Sequence, residues 1–296
     1  MRKIREGYIP FKGLQTWYRI VEGGDPEKAP LILLHGGPGS SHNSLEVLDD
    51  IADTGRTLVF YDQIGCGHSP APDERTDLFT KEVWCEELAN LRQHLGLTRV
   101  HLLGHSWGGM LAITYLSDCH PQGVLSAVLS STLPSSSLWA KEAHRLIAKL
   151  PAWAQEAIAK AERDGDWSDP EFQRANTLYM NQHVGGPWPD DAPEPIRRPR
   201  IGGGVAYETA WGPSEFNPLG NLKDWEYLDK MKTWDLPVLI TDGADDESTP
   251  YISLQMHKAV KGSQFEIFEF SRHMSYYEQH DEYVALVTSF LDSCDR

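Results

Sequence analysis

The sequence predicts an α/β fold in which a mostly parallel central sheet is flanked by helices, with a helical cap inserted into it. Three observations lead to this prediction. Over the first hundred-odd residues, short runs rich in Leu, Val and Ile each end in a glycine-rich turn, and longer stretches with helical spacing lie between them. A segment of different character, residues 133–225, interrupts the pattern, and two further apolar runs follow it. Strands that alternate with helices favour a parallel sheet covered on both faces.

The apolar runs are the predicted strands. In chain order they are residues 31–34, 57–61, 100–103, 127–130, 238–241 and 265–270. Between the second and third, residues 80–95 have Val83, Leu88, Leu91 and Leu95 at helical spacing, and another helix is predicted to begin near Trp107. The resulting order of strand, loop, strand, helix and strand is typical of α/β domains.

The interrupting segment is predicted to be a helical cap over the sheet. Its apolar residues fall at helical spacing over residues 140–160, and Gly-Pro-Trp-Pro and Ile-Gly-Gly-Gly sequences break it further on. The alternative, an irregular surface excursion, is disfavoured by its length. We therefore predict a core of residues 1–132 and 226–296 and a cap of residues 133–225. The cap contains six of the ten tryptophans, which either wall a small apolar pocket or form the interior of the cap.

The charge balance excludes some classes of partner. The 27 Lys and Arg residues against 43 Asp and Glu residues give a net charge of −16, which would repel a nucleic acid. No apolar run approaches the roughly 18 residues that cross a bilayer, and residues 1–10 lack the apolar stretch of a secretory signal. We expect a cytoplasmic protein that binds neither nucleic acid nor membrane.

The four cysteines predict neither a metal site nor a disulfide framework. Cys66, Cys85, Cys119 and Cys294 form no CxxC pair and have no zinc-ligand spacing with histidine. Free and mostly buried thiols are the preferred interpretation. No metal or organic cofactor is expected.

A nucleophile motif follows the third predicted strand. Residues 104–109, Gly-His-Ser-Trp-Gly-Gly, contain G-x-S-x-G between an apolar strand and an apolar helix. In that context the serine occupies a tight, strained turn, and glycines are needed on both sides because side chains there would collide with the strand or helix. Ser106 is therefore the predicted nucleophile, in preference to an ordinary glycine-rich turn.

A serine nucleophile needs a base, and the base needs an acid that orients it. In this type of fold both follow the serine, with the acid first. The predicted strand 238–241 leads into an acidic loop that offers three candidates for the acid, and three histidines lie beyond it. Of these, His273 follows the last strand in a short loop and is the predicted base, whereas His257 and His280 lie in helical or surface contexts. The assignment of the acid remains open among Asp242, Asp245 and Asp246.

Two backbone N–H groups are predicted to hold the oxyanion of the tetrahedral intermediate. One belongs to Trp107, directly after the nucleophile. The other is assigned to Gly37 in residues 35–39, His-Gly-Gly-Pro-Gly, where a glycine lets the backbone approach the reacting carbonyl. A phosphate-binding loop is the disfavoured alternative, because the Lys-Ser/Thr ending of a P-loop is missing.

Three motifs together resemble the proline iminopeptidase family of α/β-hydrolases, over nearly the whole chain. They are residues 35–39, the Asp62-Gln63-x-Gly65-x-Gly67-x-Ser69 sequence, and residues 104–109. The resemblance implies an α/β-hydrolase fold with a helical cap and removal of an N-terminal proline or another small apolar residue. It selects Asp246 as the acid, three residues before Thr249-Pro250. It also implies that Glu215 and Glu247 bind the free ammonium of the substrate.

The predicted function is cleavage of the amide bond after an unblocked N-terminal L-amino acid, with proline preferred. The resembling family includes amidases of simple amino acid amides, so the substrate is a short peptide or an amino acid amide with a free N-terminus. One alternative is a carboxylic ester or lactone hydrolase with the same triad, which would not need the two glutamates. A remote alternative is a non-catalytic small-molecule receptor, which the intact triad disfavours.

Overall fold

The computed structural model describes residues 2–199 and 201–295. Its strands are β1 (Lys3–Phe11), β2 (Leu14–Glu22), β3 (Leu31–Leu34), β4 (Leu58–Tyr61), β5 (Val100–His105), β6 (Val124–Ser130), β7 (Val238–Gly243) and β8 (Gln264–Phe268). They form one sheet in the order β1-β2-β4-β3-β5-β6-β7-β8. All neighbours from β4 to β8 are parallel, whereas β2 is antiparallel to both β1 and β4. The predicted α/β class is confirmed.

The N-terminal hairpin is the part of the sheet that the sequence patterns did not predict. β1 and β2 pair along their whole length and are joined by Lys12 and Gly13, both with positive φ. Two such residues between alternating strands are a hairpin signal. The signal is weak because polar residues interrupt the apolar ones in both strands, among them Arg5 and Glu6 in β1 and Gln15, Thr16 and Arg19 in β2.

The parallel strands are apolar because both faces of the sheet are covered. Every side chain of β3 is fully buried, with Ile32 and Leu34 in the cluster on one face and Leu31 and Leu33 in the cluster on the other. Neighbouring side chains of a strand point to opposite faces, so a strand with two covered faces is mainly apolar. A polar side chain in such a strand needs a buried partner, as His101 of β5 has in the Ser126 hydroxyl.

Eleven α-helices lie in the described part of the chain. They are α1 (Lys81–His94), α2 (Trp107–Thr114), α3 (Ser136–Ile147), α4 (Ala152–Asp164), α5 (Pro170–His183), α6 (Glu194–Arg197), α7 (Gly204–Ala210), α8 (Leu228–Met231), α9 (Pro250–Ala259), α10 (Ser275–Glu278) and α11 (His280–Cys294). A 3₁₀ helix, Asn43–Thr54, packs beside α11 on one face of the sheet, and α1 and α2 pack on the other. Among the described residues, no helix combines the length and the apolar character needed to span a bilayer.

Residues 133–225 fold as helices and loops over the sheet. Helices α3 to α7 lie in this segment, between β6 and β7. Side chains of α3, α4 and α5 form an apolar cluster separate from the two sheet clusters, together with Phe216. A segment with its own apolar interior is what a cap requires, and the boundaries 133 and 225 stay a prediction.

Glu87 on α1 is a fully buried carboxyl next to the loop after β4. It accepts a hydrogen bond from the backbone N–H of Ile64 and another from the hydroxyl of Thr16. Burial, only partly offset by these bonds, raises its pKa to about 8. The folded protein therefore holds a proton on Glu87 over a pH range in which the unfolded chain has released it.

Because Glu87 keeps this proton in the folded state, we predict that the free energy of unfolding depends on pH. A group whose pKa is raised on folding stabilises fully below its unfolded pKa and loses that contribution as pH rises through the folded value. We expect the Glu87 contribution to fall between about pH 4.5 and 8. Glu87→Gln should flatten this part of a profile of unfolding free energy against pH, measured by urea titration. Parallel profiles for the wild type and Glu87→Gln would contradict the assignment.

Candidate active site

The turn between β5 and α2 presents Ser106 at the carboxyl end of the central strand. Ser106 has φ of 56° and ψ of −125°, the strained backbone that the motif predicts. The flanking glycines are needed because of close packing. A Cβ on Gly108 would lie 2.0 Å from the backbone oxygen of Leu34, and a Cβ on Gly104 would lie 2.3 Å from that of Gly108.

His273 and Asp246 are brought together from loops 27 residues apart in sequence. The Nδ1 atom of His273 lies 2.7 Å from Oδ1 of Asp246, and both residues are buried. The same oxygen accepts the backbone N–H of Ser248 at 2.8 Å. Burial alone would raise the pKa of Asp246, but the charge and hydrogen bond of His273 outweigh it and hold this pKa below its usual range. Asp246 is thus an ionised carboxylate aimed at an imidazole.

The two competing aspartates have other surroundings. Asp245 is exposed to solvent. Asp242 is fully buried and accepts the hydroxyl of Ser253 at 2.7 Å. Burial and then the neighbouring charge of Asp246 raise the pKa of Asp242 well above its usual range, which favours its protonated form.

These surroundings predict a ranking of amide substitutions. Asp246→Asn should lower kcat by roughly 10⁴-fold, because an amide facing His273 Nδ1 favours the wrong imidazole tautomer. Asp242→Asn replaces a buried carboxyl bonded to Ser253 by an amide of the same size and should cost far less, and Asp245→Asn should change little. Steady-state kinetics of the three purified variants give the ranking, and a larger loss in Asp242→Asn or Asp245→Asn would move the acid to that residue.

Two further polar residues support Ser106 and His273. His105, directly before the nucleophile, has its Nε2 atom 2.8 Å from the backbone oxygen of His273. Thr132 donates from its hydroxyl to the backbone oxygen of Ser106 at 2.7 Å. His105 lies inside the motif, but no local pattern indicates its partner, which is 168 residues away. Thr132 carried no sequence signal at all.

A cavity of about 280 Å³ lies above Ser106, between the sheet and the cap. Five of the predicted site residues line it: Gly37, Ser106, Glu215, Glu247 and His273. The other two, Asp246 and Trp107, lie behind its wall, where the Trp107 indole donates to Oε1 of Gln63 at 2.7 Å. The backbone N–H of Trp107 belongs to the first turn of α2, whose N–H groups have no partner within the helix.

The apolar wall of the cavity contains no tryptophan among its described residues. It consists of Pro38, Met180, Val184, Met274 and the rings of Tyr207 and Tyr276. The tryptophan-walled pocket considered from the sequence is therefore wrong. The cap tryptophans pack within the protein instead: the rings of Trp139 and Trp211 lie 5.9 Å apart, and those of Trp167 and Phe172 lie 5.3 Å apart.

Two glutamates place negative charge in the cavity. Glu247 follows Asp246 and is buried, and its Oε2 atom has no hydrogen-bond partner among the described residues. Glu215, from the cap, accepts the hydroxyl of Tyr207 at 2.5 Å. Burial, then the charge of Glu215, raises the pKa of Glu247 well above its usual range. A cation between the two carboxylates would relieve this repulsion.

The cap touches the loop after β3 through two glycines. A Cβ on Gly39 would lie 2.2 Å from the backbone oxygen of Gly203, and a Cβ on Gly203 would lie 1.9 Å from that of Gly39. Both residues line the cavity, so this part of its wall is bare backbone.

One group of three potential metal ligands, His42, Asp62 and His68, occurs among the described residues, outside this cavity. Oδ1 of Asp62 accepts the backbone N–H of His42 and lies 2.7 Å from Nδ1 of the same residue. Oδ2 of Asp62 accepts the backbone N–H of His68 and lies 2.9 Å from Nδ1 of His68. Both imidazoles thus use Nδ1 to bind the carboxylate. These hydrogen bonds connect the loop after β4 to His42.

The four cysteines are free thiols, as expected from their spacing. Cys66 and Cys85 are buried, whereas Cys119 is exposed and Cys294 is partly exposed. The expectation that most are buried is therefore correct for two of the four.

Comparisons with known proteins agree with the fold and with the motifs. Residues 29–279 match the family model described as alpha/beta hydrolase fold. A proline iminopeptidase of Lactobacillus helveticus (strain DPC 4571) is 52% identical, over 99% of each chain, and one of Clostridium botulinum is 47% identical, over 99% of this chain and 100% of the other. The crystal structure of proline iminopeptidase from Mycobacterium smegmatis superposes with a TM-score of 0.87 at 31% identity, covering 98% of this chain and 99% of the other. The chain belongs to the proline iminopeptidase family of α/β-hydrolases.

Proposed function

We propose that this protein is a serine hydrolase that removes an unblocked N-terminal amino acid, with proline preferred, from a short peptide or a simple amide. The observation that carries the proposal is the pair of glutamates, Glu247 buried and Glu215 partly exposed, that line the cavity containing Ser106. No Lys or Arg side chain is among the described residues that line this cavity. The charged amine of a substrate would complement two carboxyl groups in one cavity and could bind both through charge-assisted hydrogen bonds.

The proposed mechanism follows from the arrangement of the side chains. Ser106 attacks the carbonyl carbon of the first residue while His273 takes its proton, and Asp246 keeps His273 in the tautomer that accepts it. The N–H groups of Gly37 and Trp107 hold the oxyanion that forms. His273 then gives the proton to the leaving amine. Water, activated by the same histidine, releases the free amino acid from Ser106.

The size of the cavity supports a small first residue. Its walls are apolar where Met180 and Val184 project from the cap, and acidic where the glutamates lie. A proline ring combines an apolar ring with a charged nitrogen in one compact group. We propose the cytoplasm as the site of action, where short peptides with free N-termini are available.

A substrate panel tests the proposal. Proline arylamide, prolinamide, Pro-X dipeptides and other aminoacyl arylamides are assayed together, each also in N-acetylated form. We expect turnover of the free amines and collapse of activity on acetylation, because acetylation leaves two carboxylates facing an uncharged group. Equal turnover of free and acetylated substrates would contradict the proposal and favour an ester or lactone hydrolase. An acyl-enzyme burst with a chromogenic ester would exclude the non-catalytic receptor.

A further inference from the structure

Gln63 lies between the two segments that carry the proposed oxyanion donors. It follows Asp62 in the loop after β4 and is 1% exposed. Its Nε2 atom donates to the backbone oxygen of His35 at 3.1 Å, and its Oε1 atom accepts the Trp107 indole N–H at 2.7 Å. One amide group therefore bridges the loop of Gly37 and the residue after the nucleophile.

The two partners determine the orientation of this amide. An indole nitrogen only donates a hydrogen bond, and a backbone carbonyl only accepts one. Gln63 satisfies both partners in a single orientation, with its oxygen towards Trp107 and its nitrogen towards His35. An isosteric side chain without the amide would lose both bonds.

The backbone of Gln63 also sets the tautomer of His35. Its N–H donates to Nε2 of His35 at 3.0 Å, so this ring nitrogen is the acceptor of the neutral imidazole. The proton then resides on Nδ1, which lies 2.8 Å from the backbone oxygen of Gly36 and donates to it.

The bond to Gly36 orients the N–H of Gly37. The carbonyl of Gly36 and the N–H of Gly37 belong to one planar trans peptide group and point in opposite directions. Holding the carbonyl on His35 aims the N–H away from His35. Gly37 lines the cavity together with Ser106, where this N–H is the proposed second oxyanion donor.

We propose that Gln63 is the positioning residue of the oxyanion hole and fixes the distance between its two donors, the N–H groups of Gly37 and Trp107. This inference rests on the proposed function for the roles of those two groups. Gln63 touches neither substrate nor Ser106 and acts through His35 and Trp107. Its loss should therefore weaken the transition state and leave ground-state binding unchanged.

Gln63→Met keeps the length of the side chain and removes both bonds. With prolyl arylamide we expect kcat to fall roughly 10- to 100-fold and KM to change less than about threefold, because donors displaced by a fraction of an ångström still leave the ammonium site intact. Gln155→Met is the matched control. Gln155 donates to backbone oxygens within the cap and lies outside the cavity, so this variant should keep full activity.

A transition-state analogue separates positioning from a merely structural role. In boroproline a boronic acid replaces the carboxylate of proline: the Ser106 oxygen bonds to boron, its proton passes to His273, and the tetrahedral adduct places an oxygen in the oxyanion hole. Gln63→Met should raise the inhibition constant of boroproline by the same factor by which it lowers kcat/KM. The dissociation constant of proline should stay unchanged. If Gln63→Met weakened the binding of boroproline and of proline equally, or weakened neither, the proposal would be overturned.

Two further measurements, a second variant and the hydrolysis of a simple ester, test the role of Gln63 separately from the proposed function. Trp107→Phe removes the indole N–H together with part of the buried ring system and should lower kcat in the same direction. Adding it to Gln63→Met should cost little more in kcat, since both break one bridge, and thermal unfolding of each variant accounts for the lost packing. The hydrolysis of p-nitrophenyl acetate uses the oxyanion hole but not the ammonium site. Lack of inhibition of the wild type by boroproline would count against the proposed function alone. An unchanged rate of ester hydrolysis in Gln63→Met would count against the role of Gln63.

Discussion

Replacing Ser106 by alanine is expected to lower kcat for prolyl arylamide by about 10³-fold or more, because it removes the attacking atom. His273→Ala should cost a similar factor by removing the base. The double variant should cost little beyond either single one, since a nucleophile and its base act as a unit. Steady-state kinetics and thermal unfolding of each variant separate lost chemistry from lost folding.

His257→Ala is the matched control for His273→Ala. His257 lies on α9, its Nδ1 atom is 2.8 Å from the Ser263 hydroxyl, and it does not line the cavity. We expect this variant to keep wild-type turnover. If Ser106→Ala or His273→Ala retained more than about a tenth of wild-type turnover, with contaminating hydrolases excluded, the assignment of the triad would be wrong.

The second large effect is expected at the two glutamates of the cavity. A charge-assisted hydrogen bond contributes about 1.5 to 3 kcal/mol, so Glu247→Gln and Glu215→Gln should each lower kcat/KM for prolyl arylamide roughly 10- to 100-fold. Neither change should greatly affect a small neutral ester, because its reaction needs Ser106 and His273 but no ammonium site. Unchanged kinetics in both variants would leave only the esterase interpretation.

The raised pKa of Glu247 adds a pH signature to this prediction. Below that pKa the free enzyme holds a proton on Glu247, and the protonated form is a poorer partner for an ammonium ion. As pH rises through the pKa, Glu247 becomes charged and kcat/KM for an amine substrate should increase, until the substrate amine itself loses its proton. Glu247→Gln should abolish this rising limb, whereas Asp245→Asn, at an exposed neighbouring position, should leave it in place.

The sequence could predict the parts of the fold that are local. A strand buried on both faces is rich in apolar residues, so β3 to β7 are recognisable within a few residues. In β1 and β2 polar residues interrupt the apolar ones, and the apolar runs predict no strand there. The strained turn at Ser106 was predictable because the collisions that require its glycines involve the adjacent strand and helix.

The rest of the site depends on contacts between distant residues. Motifs indicated Gln63 and His105, but their partners Trp107 and His273 lie 44 and 168 residues away. Composition suggested tryptophans for the walls of the cavity, and the structure puts Met180 and Val184 there instead. Which cap side chain faces the nucleophile is decided by the packing of α5 on the core, and no short pattern records that packing.

The glycine contact between cap and core limits how the substrate range of this enzyme can be changed. Gly39 and Gly203 leave no room for a side chain, so enlarging either residue would push the cap off the loop that contains Gly37. Variation in the size of the accepted residue must therefore come from the opposite wall. Shortening Met180 or Val184 is the route by which selection, natural or in the laboratory, can admit a bulkier first residue without disturbing the catalytic machinery.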